Sequence, residues 1–190
     1  MKINSRGFWE NPTAEGHGHD EGLAKGIVEF LHSVGAESVV DMGCGDGFYT
    51  KYLNANRICC LGFDGNPNTP ELTEGQGYVL DLTQKHSFGP LDWVLSLEVG
   101  EHIPSQYEEV FLENLDIHNK DGMILSWAVR GQGGDGHVNC KDNEEVIGKV
   151  CSRGYTFDES VTNYLRNKAA TFPNPCYWFR NTLMVFRRKK

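Results

Sequence analysis

Apolar and polar residues alternate along the chain in a way that predicts strands and helices in turn. Five short apolar runs have the character of buried strands, and segments with apolar residues three or four apart follow most of them. A parallel sheet covered by helices on both faces gives this order. The predicted strands are SVVDMG (38–43), RICCLGFD (57–64), GYVLDL (77–82), LDWVLSLE (91–98) and GMILSWAV (122–129). The predicted helices are DEGLAKGIVEFLHSVG (20–35), GFYTKYLNAN (47–56), SQYEEVFLENLDIHN (105–119) and NEEVIGKVCSRG (143–154).

The last part of the chain departs from this alternation. YTFDES (155–160) and CYWFRNTLMVFRRK (176–189) both predict strands, and VTNYLRNKAATFPNP (161–175) connects them. Such a late pair favours an antiparallel edge on an otherwise parallel sheet. Because the 190 residues suffice for one full core, we assign 1–190 to a single domain.

Composition narrows the possible partners. The net charge of -8 opposes a large nucleic-acid footprint, since an acidic surface repels phosphates. No apolar run is long enough to span a bilayer, and the N-terminal stretch lacks the apolar core of a signal peptide. The six cysteines form no C-x-x-C pair, so we expect reduced thiols. These features predict a cytoplasmic location, or the host cytoplasm for a viral protein.

Three glycines follow the first predicted strand at alternate positions. Gly43, Gly45 and Gly47 leave the backbone open to a ligand, at the strand end where open α/β sheets bind their ligands. A tight turn without a ligand is the alternative, although one glycine would suffice for it. The turn does not have the dinucleotide pattern G-x-G-x-x-G, and Asp41 and Asp46 make it acidic. The turn therefore favours a ligand with a positive centre and an amine over a pyrophosphate.

Two further acids end the next predicted strands. Asp64 lies about where a carboxylate accepts hydrogen bonds from a ribose diol, and Asp81 can accept from an adenine amino group. The ordered stretches VVDMGCGDG, GFDGN, LDLT and DWVLSLEVGEHIP resemble the successive motifs of class I S-adenosylmethionine-dependent methyltransferases, from about 38 to 129.

This resemblance implies a single-domain, Rossmann-like α/β fold. Its sheet has seven mostly parallel strands with a C-terminal antiparallel pair, and helices cover both faces. The cofactor would be S-adenosyl-L-methionine, and S-adenosyl-L-homocysteine would be the product. The residues that the resemblance assigns to the cofactor are Asp41, Gly43, Cys44, Gly45, Asp64, Gly65, Asp81, Leu82 and Glu98.

The stretch LEVGEHIP after the fourth predicted strand holds a candidate metal site. Glu98, Glu101 and His102 lie at i, i+3 and i+4, which is one face of a helical turn. Two carboxylates and an imidazole can bind a divalent cation such as Mg²⁺. The triplet is similar to the metal site of the ubiquinone-pathway O-methyltransferases. A structural or cofactor-facing role is the alternative.

The glycine-rich stretch RGQGGDGHVNC (130–140) follows the fifth predicted strand. We predict His137 as a general base, oriented by Asp135 or Asn139, and His102 as the second candidate base. A flexible loop with an exposed histidine is the alternative.

The N-terminal segment, 1–20, can cover the 21–190 core as a lid that excludes water. Its alternative is a loose terminus in which Asp20 only caps the first helix. TFPNPCYWFR (171–180) can form another wall of the acceptor pocket, with Trp178 stacking on the acceptor. The residues that we predict to contact the acceptor are Trp9, His17, His19, Trp127 and Arg130.

Together these features predict O-methylation of a hydroxyl on a small molecule or glycan. SWAV…GHVN also resembles glycan-modifying methyltransferases of large algal viruses. The alternatives are a non-catalytic, cofactor-binding partner subunit and a nicotinamide-dependent oxidoreductase. The oligomeric state is not predicted.

Overall fold

A computed structural model describes residues 3–10, 17–169 and 176–190. Seven strands form one sheet in the order β3-β2-β1-β4-β5-β7-β6. β1 to β5 are parallel, and β7 pairs antiparallel with both β5 and β6. The strands are β1 (Ser38–Met42), β2 (Cys59–Asp64), β3 (Gly77–Val79), β4 (Leu91–Ser96), β5 (Asn119–Ser126), β6 (Tyr155–Phe157) and β7 (Leu183–Arg188). The predicted seven-stranded sheet with a late antiparallel pair is confirmed.

Helices cover both faces of this sheet. The helices are α1 (Glu21–Ser33), α2 (Phe48–Ala55), α3 (Thr69–Leu72), α4 (Glu108–Ile117), α5 (Asn143–Cys151), α6 (Glu159–Lys168) and α7 (Phe179–Thr182). Side chains of α1, α2 and α6 pack in one apolar cluster, and those of α4 and α5 pack in a second. None of the helices in the described ranges combines the length and the apolar character that crossing a membrane requires.

The first helix begins where the sequence predicts. The Asp20 carboxylate accepts a hydrogen bond of 2.8 Å from the Leu23 amide, which satisfies a free N–H at the helix start. The apolar face of α1 then packs on the sheet, where Phe30 meets Trp93 edge to face. The cap predicted at Asp20 is therefore present.

The C-terminal part differs from the prediction in two places. Helix α6 occupies most of the segment that we predicted as a connection. Asp158 caps it by accepting from the Val161 amide, and Leu165 is fully buried. The strand predicted over 176–189 begins only at Leu183, because amides after Trp178 close turns onto its carbonyl. Residues 171–175, half of the predicted pocket wall, lie outside the described residues.

Candidate active site

A cavity of about 480 Å³ opens at the carboxyl ends of the parallel strands. It lies where the strand order reverses between β1 and β4, which is the usual ligand position in an open α/β sheet. The turn after β1, the end of β2 and the segments after β4 and β5 line it. N-terminal residues and Trp178 contribute the remaining walls.

The glycine turn has the open geometry that its sequence predicts. Gly43, Gly45 and Gly47 have φ angles of +88°, +56° and +78°, which favour glycine. A Cβ at Gly45 would lie 2.6 Å from Cδ2 of His17, so a side chain has no room there. Cys44 also lines the cavity, and burial raises the pKa of its thiol, which keeps it neutral.

Two carboxyl groups lie under this turn, Asp41 buried and Asp64 half-buried. Asp41 accepts a hydrogen bond of 2.7 Å from the Thr50 hydroxyl, and burial raises its pKa to about 7, with Asp64 and Asp46 adding to the rise. Asp64 accepts from the Gly45 amide at 3.0 Å and from the Asn66 amide at 2.9 Å. Burial also raises the pKa of Asp64. This part of the cavity therefore suits a ligand that brings positive charge and hydroxyl donors.

A second polar group lies across the cavity, after β4 and β5. Ligand atoms of Glu101, His102 and His137 lie within 4.8 Å of one another. Glu101 is fully buried, and neither of its carboxylate oxygens accepts a hydrogen bond of normal length. Burial and the nearby Glu98 carboxyl raise the pKa of Glu101 well above its usual range. An unpaired buried carboxylate is unusual and points to a missing ligand or a shared proton.

The two histidines differ in their surroundings. Burial, followed by the charge of His137, lowers the pKa of His102 to about 4, so its ring is neutral at neutral pH. His137 places Nδ1 3.2 Å from the Gln132 carbonyl, which fixes the proton on that nitrogen. Its Nε2 then carries a lone pair and lies 4.0 Å from a Glu101 oxygen. The predicted orientation by Asp135 or Asn139 is wrong, since the Gln132 carbonyl takes that place.

Comparison with characterised proteins gives one relative in sequence. No protein-family model matches the chain. The chain is 25% identical over 162 residues to the chloroplastic tocopherol O-methyltransferase of Arabidopsis thaliana. That match covers 73% of this chain and 46% of the relative, so the chain spans about half the length of that protein.

Solved structures identify the fold. An S-adenosylmethionine-dependent methyltransferase from Clostridium acetobutylicum superimposes with a TM-score of 0.68 at 9% identity, covering 90% of this chain and 93% of that one. An amino pentose methyltransferase from Micromonospora echinaspora gives 0.65 at 12% identity, covering 87% and 90%. Magnesium protoporphyrin IX methyltransferase from Synechocystis gives 0.62 at 17% identity, covering 87% and 78%. The chain has the class I methyltransferase fold. The resemblance stated from the four sequence motifs is confirmed.

The Asp81 carboxylate, which the sequence assigns to the cofactor, already has several hydrogen-bond partners within the protein. The neighbouring Leu82 lines the cavity, as do Gly65 and Glu98. The Asp81 carboxylate already accepts from the Thr83 amide, the Thr83 hydroxyl, the Gln84 amide group and the Arg6 guanidinium. Burial raises its pKa, but these hydrogen bonds outweigh burial and hold the pKa below its usual range. Arg6 is a partner that sequence reasoning missed, because it lies 75 residues away.

Glu98 lies beside the second polar group but is held by other partners. One oxygen accepts 2.7 Å from the Gln132 side chain, and the other accepts 3.1 Å from the Thr182 hydroxyl. The structure thus groups His137, rather than Glu98, with Glu101 and His102. Neither Gln132 nor Thr182 could be found from local spacing.

The loop that carries His137 in the methyltransferase fold is anchored at its far end. The amides of Val138 and Asn139 both donate to the Glu101 carbonyl at 2.9 Å. The Asn139 side chain donates to buried Glu108 at 2.8 Å, and Lys141 lies 3.1 Å from that same carboxylate. These contacts connect the segment after β5 to the segment after β4, which disfavours the alternative of a flexible loop.

Two predicted acceptor contacts are wrong. Trp127 is 2% exposed, and its indole N–H donates 2.7 Å to the Asn139 carbonyl, so it supports the loop from below. Arg130 points away from the cavity and pairs with Asp142 and Glu145. Whether an aromatic or basic side chain after a strand faces the cavity depends on the conformation of the loop, which the sequence pattern does not give.

The three predicted acceptor contacts in the N-terminal segment, Trp9, His17 and His19, line the cavity. The Trp9 ring lies 5.3 Å from that of His17 and 5.7 Å from that of His102. His19 stacks on Phe48 and pairs with Asp46 at 2.8 Å. The N-terminal segment therefore connects the two polar groups of the cavity, while Asp20 also caps α1.

Proposed function

We propose that the chain is an S-adenosylmethionine-dependent methyltransferase that methylates a hydroxyl group on a small-molecule or glycan acceptor. The observation that carries the proposal is the pairing of an acidic, glycine-lined turn with a histidine across one cavity. The curated relative is an O-methyltransferase, and one structural neighbour is an amino pentose methyltransferase.

The cofactor would lie on the β1–β2 side. Asp41 and Asp46 offer carboxyl oxygens beside the turn, and a cationic ligand there would favour the ionised form of Asp41, whose pKa burial raises to about 7. Asp64 keeps acceptor capacity toward the cavity after its two backbone hydrogen bonds, so it can accept from the ribose hydroxyls. Asp81 is the proposed partner of the adenine, and there it would share its carboxylate with Arg6.

The acceptor hydroxyl would lie near His137. Its oxygen attacks the methyl carbon in line with sulfur, the carbon–sulfur bond breaks, and its electron pair stays on sulfur as the thioether. The hydroxyl proton passes to Nε2 of His137, whose other nitrogen already donates to Gln132. His102 is the weaker candidate, because a pKa of about 4 makes it a poor base at neutral pH.

A divalent cation is the alternative use of the same histidine. Glu101 offers two buried oxygens that have no hydrogen-bond partner of normal length among the described residues, and His102 and His137 offer ring nitrogens, so the residues fit a cation. One carboxylate and two imidazoles suit Mn²⁺ or Zn²⁺ better than Mg²⁺, which prefers oxygen ligands. A bound cation would lower the pKa of an acceptor hydroxyl. His137 Nε2 cannot hold a cation and take a proton at once, so the two roles exclude each other.

Calorimetric titration with S-adenosylhomocysteine tests the cofactor, and hydroxyl acceptors are then screened with S-adenosylmethionine, with and without EDTA. Micromolar binding with EDTA-resistant activity supports the base role, and activity restored only by Mn²⁺ or Zn²⁺ supports the cation. Cofactor binding without turnover of any acceptor would favour the non-catalytic partner subunit. Binding of NADH instead would favour the oxidoreductase.

A further inference from the structure

Residues 3–10 form a short hairpin with hydrogen bonds of its own. Ile3 and Trp9 form an antiparallel bridge, and the Asn4 amide donates 2.8 Å to the Phe8 carbonyl. The turn is closed by the Gly7 amide, which donates 2.9 Å to the Asn4 carbonyl. We call residues 3–10 the N-terminal hairpin. Internal hydrogen bonds of this kind distinguish it from a loose terminus.

The N-terminal hairpin touches the segments that follow four strands. The Phe8 side chain packs on Gly65 after β2, and the Ile3 side chain packs on Gly136 after β5. The Gly7 backbone packs on the backbone of His102 after β4. The Arg6 guanidinium pairs with the Asp81 carboxylate after β3. The hairpin thus crosses the mouth of the cavity from one side to the other.

Glycines make this close approach possible. Gly7 has a φ of +97°, and a Cβ there would overlap the His102 carbonyl oxygen. A Cβ at Gly65 would lie 2.6 Å from Phe8, and one at Gly136 would lie 2.7 Å from Ile3. Any side chain at Gly7 would hold the hairpin away from the cavity.

Arg6 makes a charged contact between the hairpin and the core. Its partner Asp81 keeps three other hydrogen bonds, all from Thr83 and Gln84 in its own turn. Loss of the Arg6 side chain therefore frees the hairpin without disturbing the fold around Asp81. The Arg6 side chain is 41% exposed, so the pair is weak enough to open.

We propose that the N-terminal hairpin is the outer wall of the cofactor site, and that the cofactor enters and leaves only when the Arg6–Asp81 pair opens. The proposal rests on the proposed function, because it assigns Gly65 and Asp81 to the ribose and adenine end of the cofactor. Phe8 then covers the ribose side, and Arg6 borders the adenine.

The test measures the dissociation rate of S-adenosylhomocysteine by stopped-flow displacement from the wild-type chain and from variants. Gly7→Ala should release it at least about tenfold faster, because the left-handed conformation and the overlap with His102 both disfavour closure. Arg6→Ala should release it about threefold faster, as the loss of an exposed ion pair allows, and Arg6→Lys should restore part of the effect.

The matched control is Gly35→Ala. Gly35 also has a positive φ, +72°, but a Cβ there meets nothing within 4 Å. It shares the backbone strain without touching the hairpin, so its release rate should equal that of the wild-type chain. Thermal unfolding of each variant shows whether the core stays folded.

Hydrogen exchange gives a second readout that needs no cofactor. In Gly7→Ala, the Asn4 and Gly7 amides should exchange their hydrogens faster than in the wild-type chain. In the wild-type chain, bound S-adenosylhomocysteine should slow the exchange of the same amides. Equal release rates in wild type, Gly7→Ala and Arg6→Ala would overturn this inference alone. Failure of the wild-type chain to bind S-adenosylhomocysteine would overturn the proposed function and the inference with it.

Discussion

The carboxylates on the two sides of the cavity have opposite surroundings. On the β1–β2 side, Asp64 accepts hydrogen bonds from two backbone amides, and Asp41 accepts from a hydroxyl. On the β4–β5 side, Glu101 is fully buried, and it accepts no hydrogen bond of normal length from the described residues. The first side is built largely by the backbone of one turn. The second side is assembled from side chains of separate segments and is complete only with a ligand or a shared proton.

The largest expected effect concerns the second side. His137→Ala should lower turnover of the identified acceptor by about 10²- to 10⁴-fold, the usual contribution of a general base. Affinity for S-adenosylhomocysteine should stay the same, because His137 lies across the cavity from the glycine turn. Steady-state rates and calorimetry on the same preparation check both statements. If His137→Ala also weakened the binding of S-adenosylhomocysteine, His137 would belong to the cofactor site, and the two sides would not act separately.

The next effect concerns the first side. Asp64→Ala should weaken S-adenosylhomocysteine binding by at least about tenfold, as the loss of hydrogen bonds to a charged group implies. Asp135→Ala is the control, since Asp135 lines the same cavity from the segment after β5. Calorimetric titration of both variants measures the difference. Unchanged binding in Asp64→Ala would remove the ribose assignment.

The pH dependence of the free energy of unfolding tests whether burial raises the pKa of Asp41 on the first side. With a pKa raised from 3.8 to about 7, folded Asp41 keeps a proton that the unfolded chain releases. The free energy of unfolding should therefore fall as pH rises from about 4 to 7, by at most roughly 4 kcal/mol from this residue. Asp41→Asn should remove that part of the slope and stabilise the empty chain at pH 8, while it weakens cofactor binding.

Urea unfolding at pH 5 and pH 8 checks the prediction for Asp41. The free energies of unfolding of wild type and Asp41→Asn should differ more at pH 8 than at pH 5. An equal difference at both values would show that Asp41 ionises normally in the folded chain.

The smallest expected effect tests a corrected assignment. Arg130 forms exposed ion pairs outside the cavity, so Arg130→Ala should leave the free energy of unfolding nearly unchanged. The Michaelis constant for the acceptor should not change. A severalfold increase in that constant would show that Arg130 contacts the acceptor after all.

The sequence predicts the first side better than the second for a physical reason. The glycine turn is set by adjacent residues, so its spacing and charge are visible in one short stretch. The position of His137 depends on contacts of Asn139 with Glu101 and Glu108, which are distant in sequence. Local patterns cannot show such contacts. For the same reason, the sequence predicts that Trp127 contacts the acceptor, whereas in the structure it supports the loop.

The fold shows the same division. Apolar runs form the centres of strands β1 to β5, and each strand overlaps its predicted range, although β5 begins and ends three residues earlier than predicted. Helix α6 differs from the predicted connection: Val161 and Leu165 have helical spacing, but the two flanking apolar stretches favour strands with a connection between them. The turn at Trp178 depends on packing against the cavity and leaves no periodic pattern.

The unpaired Glu101 also affects how much of the chain is folded in a cell. Buried Glu101 beside half-buried Glu98 makes the empty chain less stable than apolar residues at these positions would. A ligand that binds Glu101 only in the folded form draws the population toward that form by mass action. The supply of that ligand would then set the lifetime of the protein against proteolysis, in addition to its rate of turnover.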